Sequence, residues 1–116
     1  MPPTIIYKFG DLVLVPFPFT DQTSTKQRPA IVVSSAACND ARPDLILMAV
    51  TSHIRVPSAT GDVTIRAWQE AGLIRPSVIK PLLTTLEKRL VIKRLGRLSE
   101  QDRQALKMTL SKILNE

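Results

Sequence analysis

The apolar residues of this chain come in short runs broken by turn residues, and that interruption limits what it can fold into. Residues 11–17 read DLVLVPF after Gly10, residues 30–33 read AIVV between Pro29 and two serines, and residues 45–50 read LILMAV. Shorter pieces follow at 62–65, at 78–83, where Lys80 and Pro81 intervene, and at 90–92. Such runs predict a small antiparallel barrel or sandwich rather than alternating strand–helix units. Pro16 and Pro18 have no amide N–H to give to a ladder, so the first strand must end, bulge or lie on an edge there. Two helices are predicted besides. AWQEA at 67–71 is closed by Gly72, a natural helix stop. The clearer one spans 99–114, with Ser99 as N-cap, Glu100 and Asp102 in the first turn, and Leu106, Leu110, Ile113 and Leu114 at helical spacing. The expected class is mainly β with a C-terminal helix packed on the barrel.

With 116 residues, the chain is expected to form one domain, 1–116, long enough to bury a core without staples. Hydrophobic residues make up 44% against 22% charged, but aromatics only 4%, so the core must be built from Ile, Val, Leu and Ala. The single cysteine, Cys38, excludes an intramolecular disulfide and a Cys-based metal site. No apolar stretch at the N-terminus suits a signal peptide, and none approaches the roughly 18–20 residues needed to cross a bilayer. A cytoplasmic protein is therefore expected, with no membrane association.

The net charge of +6 is unevenly placed, because residues 61–116 hold eleven Lys or Arg against six acids. Lys88, Arg89, Lys93, Arg94 and Arg97 crowd into one short run with Glu87 as its only acid. Such a run reads either as a footprint for a polyanion or acidic protein, or as a solvated basic face.

Several chemistries are disfavoured. The glycines stand apart at 10, 61, 72 and 96, so no phosphate-cradling glycine loop exists. One histidine, His53, and one cysteine do not make a hydrolytic zinc site, nor a two-histidine ribonuclease within one chain. No metal or other cofactor is expected. If the chain cuts RNA, the charge on the phosphorane must be met by Arg, Lys and hydroxyl groups. Arg28 suits that role, because it stands where the polar segment TDQTSTKQR meets Pro29 and a buried strand, and its planar fork fits a phosphate. A structural ion pair would explain the same position. Thr51 ends the run LILMAV and, in a continuing strand, would share a side with His53. A local turn bond at a strand end is the plainer reading of its hydroxyl.

The string GDLVLVPFPFTDQTSTKQRPAIVVSS, residues 10–35, resembles the opening of PemK/MazF-type toxins. There a Gly-Asp-hydrophobic strand passes through a flexible loop and enters the second strand at an Arg-Pro pair. MAVTSHI at 48–54 resembles the family's third strand ending in Thr. AGLIRPSVIKP at 71–81 resembles its Gly-Leu…Pro-Ser segment, and RLGRLSEQD at 94–102 resembles the lead into its last helix. Together the four cover nearly the whole chain in the family's order.

This resemblance implies a homodimer with an SH3-like barrel that cleaves single-stranded RNA at short sequences and blocks translation. It also implies a cognate acidic antitoxin as partner. The family's catalytic Arg, followed by Pro, falls on Arg28, and its catalytic Thr falls on Thr51. Arg28 would bind the scissile phosphate and assist the leaving group, and Thr51 would hydrogen-bond a non-bridging oxygen. The RNA's own 2′-hydroxyl would attack, leaving a cyclic phosphate and a 5′-hydroxyl end. Thr20, Asp21, Lys26 and Gln27 from the loop, with Ser52 and His53 from the strand end, would line the RNA. Some members carry a Gly-Ser-Glu stretch in that loop whose acid helps catalysis. This chain has Gln22-Thr23-Ser24-Thr25 there, which leaves Asp21 and His53 as candidates for the general base. Two rival readings use the same fold: a non-enzymatic gyrase poison of the CcdB type, and a catalytically silent RNA-binding module.

Overall fold

The computed structural model describes residues 5–16, 26–56 and 58–115. Six strands form one antiparallel sheet: β1 (Asp11–Pro16), β2 (Gln27–Val32), β3 (Asp44–Thr51), β4 (Val63–Thr64), β5 (Val78–Glu87) and β6 (Lys93–Arg97). Their order across the sheet is β4-β5-β3-β2-β1-β6, and the sheet curls into a half-barrel. A short helix α1 (Ala36–Ala41) joins β2 to β3, and α2 (Glu100–Leu114) closes the chain.

The central strands are buried on both faces, which is why their sequences read as unbroken apolar runs. Leu12, Ile31, Met48, Val50 and Ile79 point to one face, where Leu98 and Leu106 of the C-terminal segment cover them. Val13, Val15, Ala30, Val32, Leu45 and Leu47 point to the other, joined by Tyr7 and Leu86. The period-2 alternation of side chains thus feeds two small cores from the same strands.

Helix α2 starts where its caps require. Ser99 Oγ accepts a hydrogen bond from the Asp102 amide at 3.1 Å, and Glu100 and Asp102 occupy the first turn. Leu106 is fully buried and Leu110 packs against the same core, but Leu114 is 67% exposed. The apolar stripe is therefore narrower than the spacing predicts.

Two further expectations need correction, and one helix was not anticipated. Residues 67–71 do not form a helix. They are a series of turns in which the Ala71 amide donates to Ala67 O and the Leu73 amide to Trp68 O. These bonds do not form a continuous i→i+4 ladder, and Gly72, at φ +95°, ends the stretch. Leu90 closes a 3₁₀ turn (Lys88–Leu90), and the strand begins only at Lys93. Helix α1 was unforeseen, because six residues give no periodicity to read, although its N-cap Ser35 accepts from the Cys38 amide.

Two prolines sit where a ladder tolerates them. Pro16 ends β1 opposite Gln27, and Pro81 lies in β5 where the β3–β5 register slips between Met48 and Val50.

Gly72 and Gly96 face each other backbone to backbone. A Cβ on Gly96 would overlap the Ala71 carbonyl, and one on Gly72 the Leu95 carbonyl. Gly96→Ala should therefore destabilise the fold by about 1–3 kcal/mol, the usual range for overpacking. Urea unfolding measures this, and an unchanged midpoint would show that the two segments part freely.

Candidate active site

Register brings the two principal candidates together. β2 pairs with β3 through Ala30 opposite Ala49, Ile31 opposite Met48 and Val32 opposite Leu47. The pairing ends at Ala30 and Ala49; two residues further along each strand, on the same side by alternation, stand Arg28 and Thr51, and both line one cleft. Both backbones are held from their other sides, since Arg28 pairs with Val15 and Thr51 with Val78. Residues 23 positions apart in sequence thereby come to line one cleft from two strands of the sheet.

Arg28 and Thr51 line a cleft of about 440 Å³. Its floor is apolar, formed by Val15, Ala30, Leu47, Ala49 and Leu82, and its polar wall carries His53, Arg55 and Lys80. No carboxylate lines it among the described residues. Arg28, Pro29, Val50 and Thr51 also border a second hollow of about 210 Å³, which adds Gln27, Ser52, Arg75 and Ser77. The Arg28–Thr51 pair is thus a ridge with a hollow on either side. Three guanidinium or ammonium groups over an apolar floor suit a polyanion that also offers flat apolar surface.

The Thr51 hydroxyl makes the local bond that its position suggested, accepting from the His53 amide at 3.0 Å. Accepting that bond leaves the hydroxyl proton to be donated elsewhere. The side chain of Arg28 is exposed, at the start of a strand whose inner end is fully buried.

The other candidates divide. His53 joins the larger cleft, while Gln27 and Ser52 join the smaller hollow. Lys26 is exposed beside β2 and lines neither. Thr20 and Asp21 lie outside the described residues. Arg55, Lys80, Arg75 and Ser77 line these hollows without having been singled out. Lys80, Arg75 and Ser77 stand inside a motif, but only strand pairing tells which of its residues turn toward the cleft. Arg55 had no signal at all.

Part of the basic run at 88–97 is tied to the fold while its side chains stay partly or largely exposed. Arg94 and Arg97 flank the fully buried Asp11, at 3.3 and 3.7 Å. Lys88 donates to Asn39 O at 2.7 Å, and Arg89 pairs with Glu87 at 2.6 Å. Asp11 also accepts from the Lys8 amide, so this carboxylate ties β1 to β6.

Among the described residues, no group of three or more His, Cys, Asp or Glu is placed to hold a metal. None of their helices is long and apolar enough to cross a membrane.

The model of one protein family, described as PemK-like, MazF-like toxin of type II toxin–antitoxin systems, matches residues 8–114. No curated protein sequence matches the chain. Solved structures with the same fold include an endoribonuclease in complex with its cognate antitoxin from a mycobacterial species. It is 17% identical with a TM-score of 0.75, over 93% of this chain and 94% of that one. MazF from Deinococcus radiodurans is 23% identical with a TM-score of 0.72, over 96% of this chain and 98% of that one. A MazE–MazF structure from the same organism gives 23% and 0.75, over 95% and 97%.

Proposed function

The chain belongs to the PemK-like, MazF-like toxins of type II toxin–antitoxin systems, and from that membership we propose that it is an endoribonuclease cutting single-stranded RNA without a metal. The observation that carries this reading is the cleft itself: Arg28 and Thr51 both line it, with Arg55 and Lys80 beside them and no acid among the described lining residues. That arrangement attracts a phosphodiester chain and offers an apolar floor for its bases.

In the proposed reaction the 2′-oxygen attacks the adjacent phosphorus and the bond to the 5′-oxygen breaks. The products are a 2′,3′-cyclic phosphate and a 5′-hydroxyl end. Arg28 neutralises the phosphorane and the departing 5′-oxygen, and Thr51 donates its proton to a non-bridging oxygen. The proton of the 2′-hydroxyl goes to His53, the one described cleft residue whose neutral side chain is a base. The departing oxygen takes its proton from solvent. No nucleophilic side chain is needed, because the substrate supplies its own.

This reading also takes the chain as a single domain, with its curled sheet as an SH3-like barrel. It pairs with a second copy and is neutralised by an acidic antitoxin, which a +6 chain would attract. The test is incubation of the purified protein with a long single-stranded RNA in EDTA, followed by mapping of the new ends. Discrete cuts with cyclic-phosphate termini are expected. RNA left intact at high protein concentration overturns the reading, and protein that traps gyrase on DNA would establish the poison instead. Thr51→Val, which keeps the shape and loses the donor, should slow cleavage about 10²-fold, the usual loss of one such donor. A rate within threefold of wild type would remove Thr51 from the mechanism.

A further inference from the structure

Lys80 is held in the cleft wall by a small assembly of its own. It precedes Pro81 at the irregularity of β5, where Met48 pairs with Leu83 but Val50 with Ile79. The extra residues opposite Ala49 re-aim the strand, as bulges beside functional sites do. Lys80 Nζ donates to Asp62 Oδ2 at 2.9 Å, and that carboxylate is only 3% exposed. The same oxygen accepts from the Ala59 amide at 3.2 Å, which folds the turn 59–62 over the bulge. Gly61, at φ +92°, lies so close to Pro81 that a Cβ there would stand 3.1 Å from the proline ring. Asp62 Oδ1 is buried with no hydrogen-bond partner among the described residues.

A buried ion pair is weak evidence for stability, since desolvation offsets much of the attraction. Here the pair leaves one carboxylate oxygen without a partner among the described residues, and Lys80 itself lines a cleft with no carboxylate among its described lining residues. An ammonium has three N–H donors, and Asp62 takes one. We propose that Lys80, positioned by Asp62, binds a second phosphodiester of the RNA, next to the one at Arg28, and so sets the register of the strand on the catalytic ridge. The proposal rests on the endoribonuclease reading above.

The test compares binding of a single-stranded oligonucleotide carrying the mapped cleavage sequence with 2′-O-methyl groups, which the protein cannot cut. Lys80→Met alone would strand the buried carboxylate and endanger the fold. The principal variant is therefore the double substitution Lys80→Met with Asp62→Asn. It leaves the net charge at +6, so long-range attraction to RNA is unaltered and only the local contact is lost. Anisotropy titrations over a range of salt should show about tenfold weaker binding. The slope of log affinity against log salt should be shallower by about 0.7, the value for one phosphate on a single strand. Lys80→Arg, with Asp62 intact, should keep the wild-type slope. A double variant that melts like wild type and binds with unchanged affinity and slope overturns the assignment of Lys80, while cleavage by the wild type still stands. Wild-type protein that neither binds this oligonucleotide nor cuts its unmodified form overturns both.

Discussion

Arg28→Ala should lower the single-turnover rate of RNA cleavage by about 10³-fold and leave the melting temperature nearly unchanged. The two halves of that expectation have separate causes. Arg28 is exposed, and its backbone is held by Val15 whatever the side chain; exposed substitutions of this kind usually stay within about 0.5 kcal/mol. In the proposed reaction, however, its guanidinium is the charge beside Thr51 that meets the phosphorane. Losing a preorganised group that meets developing charge typically removes about 10²–10³ in rate, and a guanidinium on a transferring phosphoryl group toward the upper end or beyond. Arg28→Lys should recover only part of the loss, because a point charge lacks the planar fork. A rate for Arg28→Ala within tenfold of wild type, in a folded protein, would place the chemistry elsewhere.

Asp102→Ala should be among the most damaging single changes to the fold. The carboxylate is 1% exposed. One oxygen accepts from the Arg66 amide at 3.1 Å and the other from the Ala67 amide at 2.9 Å. These bonds pin the turns at 66–72 to the first turn of α2, so helix and turns lose their common anchor together. Two charge-assisted bonds at about 1.5–3 kcal/mol each, with the amides then left unpaired, point to a loss of about 3–5 kcal/mol. Against a total stability of about 5–15 kcal/mol, that is a melting temperature lower by about 10 °C or more. Asp102→Asn should fall between, since its amide oxygen replaces one acceptor of the two. Thermal unfolding followed by circular dichroism decides, and a shift under 3 °C would show that the turns stand without this anchor.

The contrast between these two residues shows what a sequence can convey. Asp102 was legible only as a helix-start acid, for which local spacing suffices. Its larger role, capping amides 35 and 36 residues away, depends on how α2 lies across the turns. Arg28 was marked by its place between a polar segment and a buried strand, and more sharply by the Arg-Pro pair of the family resemblance. The basic run at 88–97 stayed open between two readings for a related reason. Charge counts cannot reveal that Arg94 and Arg97 turn inward to Asp11, because that pairing joins strands from opposite ends of the chain. Gly72 looked like a helix stop and Gly96 like a motif letter, yet each is required because the other's segment passes against it.

By itself the sequence determined the strand-rich class, the capped C-terminal helix, the Arg28 and Thr51 candidates and, through motifs in the family's order, the kind of toxin this is. Those features are local: alternation, caps, prolines and short strings act over a few residues, within reach of the chain's own periodicities. Only the tertiary structure decided that Arg28 and Thr51 line one cleft and that Lys80 and Arg55 share it. It also decided that Arg94 and Arg97 of the basic run reach the buried Asp11. Those outcomes depend on strand register and on bulges, where a slip of one residue would turn each of these side chains to the opposite face.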